Sequence, residues 1–374
     1  MLRRVLPLCW ALLFAMTSEL PAQKKKSKKE AKEEITQVLE IPPDPPAAVT
    51  VETARLEFLV SPMTGKGLLS AQVREALKSL KSQARGGQIV KLRAFVAGTG
   101  DLRRVPAIVS EEFTEKRLPL PAVSTIQVGL LPMEGAQVVV EAVVAAKKPV
   151  NPHGLGLLSG MGGYGKEEPD NVLPMLERAL ADLTKASQLA GSQKGDVVKV
   201  TCMLSSLTQV NEVRSRVAAA FPAAGFTAFQ AQRGHGAALA ECEGVVRLAK
   251  APAEAVQFLN PADMAPSPRF SKFVLVNAPR LVLTGSQVAF NFEENDVRLA
   301  FQRMAKVLEA QKTSTKQVVF SNLYPISNRV LELARKVRFE FFDTAKPPAS
   351  TALVFEGLPS MDASLGIELI AVPQ

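Results

Sequence analysis

The sequence is short of the residues that usually recognise nucleic acids and metals. Among 374 residues there are one Trp, two Tyr and two His. So few rings leave little for base stacking, and the net charge of +9 does not by itself indicate a nucleic-acid partner. The histidines, His153 and His235, have no partnered nucleophile, and no Cys or His spacing fits a metal site. We therefore predict no cofactor, no metal and no bound nucleic acid.

Cysteine is also scarce, with three in the chain. Cys9 lies in an apolar run that follows a basic start and precedes small and polar residues, a pattern typical of a secretory signal peptide, predicted at 1–22. The run is too short to span a membrane comfortably. The mature chain keeps Cys202 and Cys242, which an exported protein could join in a disulfide, although two buried free thiols are the alternative. We predict an exported protein, periplasmic or extracellular, with no membrane attachment after cleavage.

One segment occurs three times along the chain: an alternating strand, a loop, and a second strand with a single aligned glutamate. The copies are Pro121–Ala145, Gly225–Ala249 and Pro348–Val372, and their glutamates are Glu141, Glu243 and Glu368. Apolar side chains at every second position indicate that each strand buries one face. Repetition at this scale predicts three copies of one domain.

A helix, a strand and a second helix precede each copy of this segment. The first helices are predicted at Leu69–Ala84, Val172–Ala190 and Val297–Gln311, the strands at Ile89–Ala97, Asp196–Leu204 and Lys316–Tyr324, and the second helices end near Phe113, Phe221 and Phe342. We predict an α+β fold in which each repeat is a mixed sheet with two helices on one face. The predicted bounds are 51–148, 149–250 and 251–374, after a Lys-rich then Pro-rich linker at 23–50. A second linker is predicted at Ala251–Pro268. Because the uncovered sheet faces are also apolar, the repeats should pack on each other.

Several of these motifs resemble the YjgF-like or Rid (reactive intermediate deaminase) family, whose fold is chorismate-mutase-like. The similar stretches are LGLLSGMGG (Leu155–Gly163), RLVLTGSQVAF (Arg280–Phe290), DVVKVTCML (Asp196–Leu204) and the three closing segments. Family members with one domain form homotrimers with ligand clefts between subunits. The resemblance therefore implies a pseudo-trimer made by a single chain, which we expect to be monomeric.

The resemblance also points to site residues. In deaminating members the Arg of a Pro-Ala-Arg motif holds the carboxylate of a 2-imino acid, a task that suits its bidentate donor fork. The matching positions here are Val123, Phe226 and Ser350. The three glutamates match a family glutamate thought to position or activate water. Their alternative role is to accept hydrogen bonds from a neighbouring turn or strand.

These observations lead to three hypotheses about function. The first is an exported Rid-like protein without the standard deaminase activity, which binds an unidentified small molecule or a partner in the clefts between repeats. The second is an imine or enamine deaminase that uses a cleft glutamate and a relocated cation, for which Arg233 is a candidate. The third is a scaffold without enclosed pockets. We expect Asn322 and Tyr324 either to line a cleft or to cap a turn. The pattern of Gly160, Gly162 and Gly165 indicates a flexible turn rather than a dinucleotide-binding site.

Overall fold

The computed structural model describes residues 41–98, 100–265 and 267–374. Within these ranges Pro42–Gln374 form one compact unit with six helices and three sheets, two of them of six strands and one of four. The signal peptide predicted at 1–22 and most of the linker predicted at 23–50 lie outside the described residues. The last three linker residues belong to the first strand, β1 (Ala48–Glu52).

The first repeat forms the four-stranded sheet, in the order β2-β5-β3-β4. Its elements are β2 (Leu56–Val60), α1 (Leu69–Gln83), β3 (Gln88–Ala97), α2 (Arg104–Glu115), β4 (Ala122–Val128) and β5 (Val138–Ala145). Strands β3 and β4 are parallel because α2 connects them, whereas β5 pairs antiparallel with β2 and β3. The apolar stripe of α1, including Val73, Leu77 and Leu80, is fully buried against this sheet.

The other two repeats repeat this arrangement with added strands. The second contains β6 (Leu155–Tyr164), α3 (Leu173–Leu189), β7 (Val197–Leu204), α4 (Val210–Ala220), β8 (Gly225–Gln230) and β9 (Leu239–Arg247), followed by β10 (Val256–Leu259) and β11 (Phe273–Val276). The third contains β12 (Arg280–Thr284), β13 (Gln287–Phe290), α5 (Glu294–Ala310), β14 (Val318–Pro325), α6 (Asn328–Phe341), β15 (Ala349–Ala352) and β16 (Ala363–Ala371). The predicted α+β class and the three mixed sheets are confirmed.

Sheet membership crosses two of the predicted domain bounds. Strand β1, from the predicted linker, pairs with β12 of the third repeat. Strands β10 and β11, placed by sequence in or after the linker Ala251–Pro268, extend the sheet of the second repeat through β6. The Pro-rich composition hid β10, which has only four residues, VQFL. Segments outside the predicted repeat cores therefore add strands to the sheets of the second and third repeats.

The uncovered sheet faces pack against one another around a pseudo-threefold axis. One shared core contains Leu56, Leu155 and Leu281, the equivalent residues of the three first strands. At the other end of the axis Phe229 contacts two further rings, with centroids 4.2 Å from Phe95 and 6.2 Å from Phe355. Such aromatic contacts add to the apolar area buried. This packing agrees with the prediction that the repeats bury their uncovered sheet faces on each other.

The second repeat contains a disulfide between Cys202 and Cys242. These residues lie directly opposite each other on β7 and β9, and both are fully buried. Of the two alternatives left by the sequence, the structure has the disulfide. None of the helices in the described part of the chain is long and apolar enough to cross a membrane.

Candidate functional site

The three glutamates of the repeated segment converge at the pseudo-threefold axis. Glu141, Glu243 and Glu368 lie on β5, β9 and β16, and each is at most 8% exposed. All three line one small cavity of about 60 Å³. The register explains their equivalence, because each glutamate faces the middle strand of its own sheet at the same level.

Basic side chains from the middle strands of the first and second repeats reach the same cavity. Lys91 and Arg93 are two residues apart on β3 and so project from one face of the sheet, toward the axis. Lys199 on β7 occupies the position equivalent to Lys91, since each lies two residues before the residue that faces the glutamate. Sequence reasoning missed these cations. The signal was present in KLR, where two charges alternate within an otherwise apolar strand.

Arg93 binds two glutamates of different repeats. Its Nε and Nη2 donate to Glu141 Oε2 at 2.9 and 2.6 Å, and Nη2 also donates to Glu243 Oε1 at 2.6 Å. Nη1 donates to the hydroxyl of Tyr324 at 3.3 Å. Although burial opposes its charge, the neighbouring carboxylates raise the pKa of Arg93 well above its ordinary value. This guanidinium is therefore a permanent cation at the axis.

Glu141 receives further donors from the second repeat. Lys199 Nζ lies 2.9 Å from Glu141 Oε2, and the Thr201 hydroxyl donates to Oε1 at 2.5 Å. Burial alone would raise the pKa of Glu141, but Arg93 and Lys199 outweigh it and lower the pKa to about 2. A carboxylate held this firmly in its ionised form is a poor proton acceptor for catalysis.

The other two glutamates are also bound across repeat boundaries. Asn322 Nδ2 of the third repeat donates to Glu243 Oε2 at 2.8 Å. Lys91 Nζ lies 3.0 Å from Glu368 Oε2 and donates to the Thr284 carbonyl and the Ser124 hydroxyl, both at 2.6 Å. Burial lowers the pKa of Lys91 to about 8, although Glu368 opposes the shift. The axis thus holds three carboxylates and three cations that link all three repeats.

The positions matched to the family arginine lie on the edge strands β4, β8 and β15, and none of them lines the axial cavity. Val123, Phe226 and Ser350 are structurally equivalent, because each pairs with the residue just before the one that faces a glutamate. Each edge strand meets the first strand of another repeat, which defines three clefts: β12–β4, β2–β8 and β6–β15.

Two of these clefts are closed by hydrogen bonds at the matched position. In the β12–β4 cleft the Ser286 N–H donates to the Val123 carbonyl at 3.4 Å. In the β6–β15 cleft the Ser350 N–H donates to the Ser159 hydroxyl at 2.8 Å. The β2–β8 cleft instead contains a cavity of about 660 Å³ beside Phe226. A volume of this size is typical of ligand sites.

A buried arginine approaches the matched position in the third repeat from the helix layer. Arg338 on α6 is 2% exposed, and its guanidinium donates to the hydroxyls of Ser350 and Ser321, both at 3.3 Å. Burial and the nearby Arg335 and Arg269 lower the pKa of Arg338 to about 10. No carboxylate lies within ion-pair distance of Arg338 in the parts of the chain that the structure describes.

Glu241 is a second residue that sequence reasoning missed. It lies two positions before Glu243 on β9, so both side chains project from the same face of the strand. A Cβ at Gly160 would stand 2.1 Å from Glu241 Oε1, so the glycine makes room for this carboxyl. Burial and the nearby Glu243 raise the pKa of Glu241 to about 8. The pattern Glu-Cys-Glu within an apolar strand was the available signal.

Arg233 lies away from the axial cluster, whereas Tyr324 and Asn322 belong to it. Arg233 Nε donates to the Gly129 carbonyl at 3.1 Å and lies 3.9 Å from Glu356, at a junction of the three repeats. Tyr324 and Asn322 both contribute to the axial cluster. Among the residues with described placement, no group of three or more Asp, Glu, His or Cys is arranged to hold a metal.

Comparisons with known proteins gave matches among solved structures only. No protein-family model and no curated protein matches the chain. A YjgF-family protein from Neisseria meningitidis is 15% identical with a TM-score of 0.24, and the match covers 32% of this chain and 95% of that one. A Rid-family protein of unknown function from Yersinia pestis is 21% identical with a TM-score of 0.29, covering 32% and 99%. The α+β fold of three fused repeats therefore rests on the sheets and registers of this chain.

Proposed function

We propose that the chain is an exported, Rid-like binding protein that lacks 2-imino acid deaminase activity. One observation carries the proposal: the glutamates of all three repeats are bound by Arg93, Lys91, Lys199 and Asn322 at the axis. The positions where a substrate carboxylate would need an arginine are Val123, Phe226 and Ser350. The glutamates are therefore not free to activate water, and no arginine stands at the matched positions to hold a substrate carboxylate.

Export is supported by two independent features. The N-terminal pattern is typical of a signal peptide. The Cys202–Cys242 bond is of a kind that persists in oxidising compartments. The cavity beside Phe226 in the β2–β8 cleft supports binding there, because its size suits a ligand or part of a partner.

The proposal is tested by adding the purified mature chain to a freshly generated 2-imino acid and following its hydrolysis. We expect the spontaneous rate, unchanged by the protein at any concentration. Acceleration in proportion to protein concentration would overturn the proposal.

Glu241 favours a second candidate, an imine or enamine hydrolase with a relocated cation. Its carboxyl is protonated near neutral pH and could donate a proton, and Arg338 supplies a guanidinium at the matched position Ser350. If hydrolysis is accelerated, Glu241→Gln should abolish it. The matched control Glu356→Gln should leave the rate unchanged, because Glu356 is paired with Arg233 and not with Arg338 or Ser350.

A further inference from the structure

The first strand of each repeat has an outer edge, and two of the three edges are covered by another strand of the chain. Strand β11 pairs antiparallel with β6, and β1 pairs antiparallel with β12. Over the ranges that the structure describes, no strand pairs with the outer edge of β2. The cavity of about 660 Å³ lies against this edge, from Leu56 to Pro62.

The order of the added strands shows why this edge is left open. Strand β1 precedes the first repeat and covers the third, and β11 precedes the third repeat and covers the second. By the same cyclic order the join between β5 and β6 should cover β2. That join, residues 146–154, forms no strand and instead offers the side chain of Asn151, whose Nδ2 donates to the Leu56 carbonyl at 2.6 Å. Strands β1 and β11 already pair with β12 and β6, so neither of them covers β2.

The open edge presents backbone groups in the pattern of a pairing strand. The Ser61 N–H donates to Val140 O on the β5 side, and the Arg55 carbonyl accepts from Ala146 on that same side. Alternation then directs the N–H and C=O groups of Phe58 and Val60 outward. Gln83 Nε2 donates to the Val60 carbonyl at 3.4 Å, a long hydrogen bond that a pairing strand would replace. An unpaired edge of this kind is a template for an added strand.

We propose that the outer edge of β2 binds an extended segment of a partner protein by antiparallel strand pairing. This inference rests on the proposed binding function. The occupant resembles β1 and β11 in length, four or five residues. Its inward side chains meet Val198 and Phe58 and are apolar, whereas its outward side chains meet Ser79 and Gln83 and are polar.

Arg247 indicates that the bound segment carries a hydrogen-bond acceptor at one end. It lines the same cavity, and its Nε is buried without a hydrogen-bond partner among the residues whose placement is described. A buried donor left unpaired is costly. A carboxylate or carbonyl of the bound segment at the end next to Arg247 would satisfy it.

The test uses a fluorescent peptide that copies Ala47–Thr53, since β1 occupies the equivalent edge. In the chain, Ala47 O accepts from Gly285 and Thr53 N donates to Pro279, so the odd-numbered residues face β12. Anisotropy should report saturable binding to the mature protein. N-methylation at Val49 and Val51 should weaken binding at least about tenfold, whereas N-methylation at Thr50 and Glu52 should leave it nearly unchanged. No binding, or equal loss in both registers, would overturn the inference.

Two protein variants make the assignment specific. Arg247→Leu should weaken the peptide several-fold, whereas Arg214→Leu, at an exposed position on α4, should not; thermal unfolding verifies that both are folded. Binding that appears only after residues 23–40 are deleted would also overturn the inference, because the chain's own segment would then cover the edge. Failure here leaves the imine hydrolysis result, and hence the proposed function, untouched.

Discussion

Arg93 and Glu243 lie on different repeats, yet Arg93 Nη2 stands 2.6 Å from Glu243 Oε1 while also binding Glu141. The equivalents of Arg93 are Thr201 in the second repeat and Asn322 in the third, because these residues face Glu243 and Glu368. A single guanidinium thus serves two carboxylates. Identical subunits would carry the same residue three times, so a homotrimer could not have this asymmetry.

We expect Arg93→Met to lower the free energy of unfolding by about 3–5 kcal/mol, because it leaves buried carboxylates without their main cation. Denaturant unfolding measures the change. The control is Arg103→Gln, which removes an exposed pair with Asp101 and should have no measurable effect. A loss for Arg93→Met no larger than that of the control would contradict the structural role of the cluster.

Replacing Arg338, unlike replacing Arg93, should not lower the free energy of unfolding. The Arg338 guanidinium contacts two hydroxyls and no carboxylate, and Ser321 and Ser350 remain hydrogen-bonded to each other at 2.9 Å without it. Replacing this buried charge in Arg338→Met should leave stability unchanged or raise it by about 1–4 kcal/mol. The same unfolding experiment compares it with Arg93→Met. Equal destabilisation by the two variants would contradict this difference between the two arginines.

Stability should fall in acid as Glu141 is protonated. Its pKa is about 2 in the folded chain and near 4.5 when unfolded, so its contribution is present above about pH 4.5 and is lost as the pH falls toward 2. The full effect is on the order of 3 kcal/mol. Unfolding measured from pH 6 to pH 2 should show a steeper decline for the native chain than for Glu141→Gln. Parallel curves would argue against the lowered pKa.

Reducing the disulfide should destabilise the second repeat. Cys202 and Cys242 are 40 residues apart, and removing a native bond of this kind typically costs about 2–5 kcal/mol. We expect reductant to lower the melting temperature of the native chain and not that of the Cys202→Ala, Cys242→Ala double variant. Two titratable thiols in the unreduced, denatured chain would contradict the bond.

The repeats and most element bounds could be predicted from sequence because they depend on local periodicity. The first helix was predicted at Leu69–Ala84 and is found at Leu69–Gln83. The added strands could not be predicted in this way. Strand β10 is four residues long within a Pro-rich stretch and pairs with β11, whereas β11 and β1 are stabilised by pairing with the distant strands β6 and β12.

The site was predicted in part. The glutamates were identified, and the sequence left open whether they act in catalysis or accept hydrogen bonds. Their partners were missed, because Arg93 comes from the neighbouring strand and Lys199 from another repeat, and side-chain alternation alone does not say which faces meet. Glu241 was missed for a related reason, since the three-copy alignment directs attention to the shared glutamate and away from a residue present once.

The central claim is that charges on different repeats hold the pseudo-trimer together at its axis, and a double-mutant cycle tests it most directly. Unfolding free energies are measured for the native chain, Arg93→Met, Glu243→Gln and the combined variant. We predict a coupling energy of about 2 kcal/mol or more between these two residues of different repeats. Additive effects, with a coupling near zero, would contradict the claim.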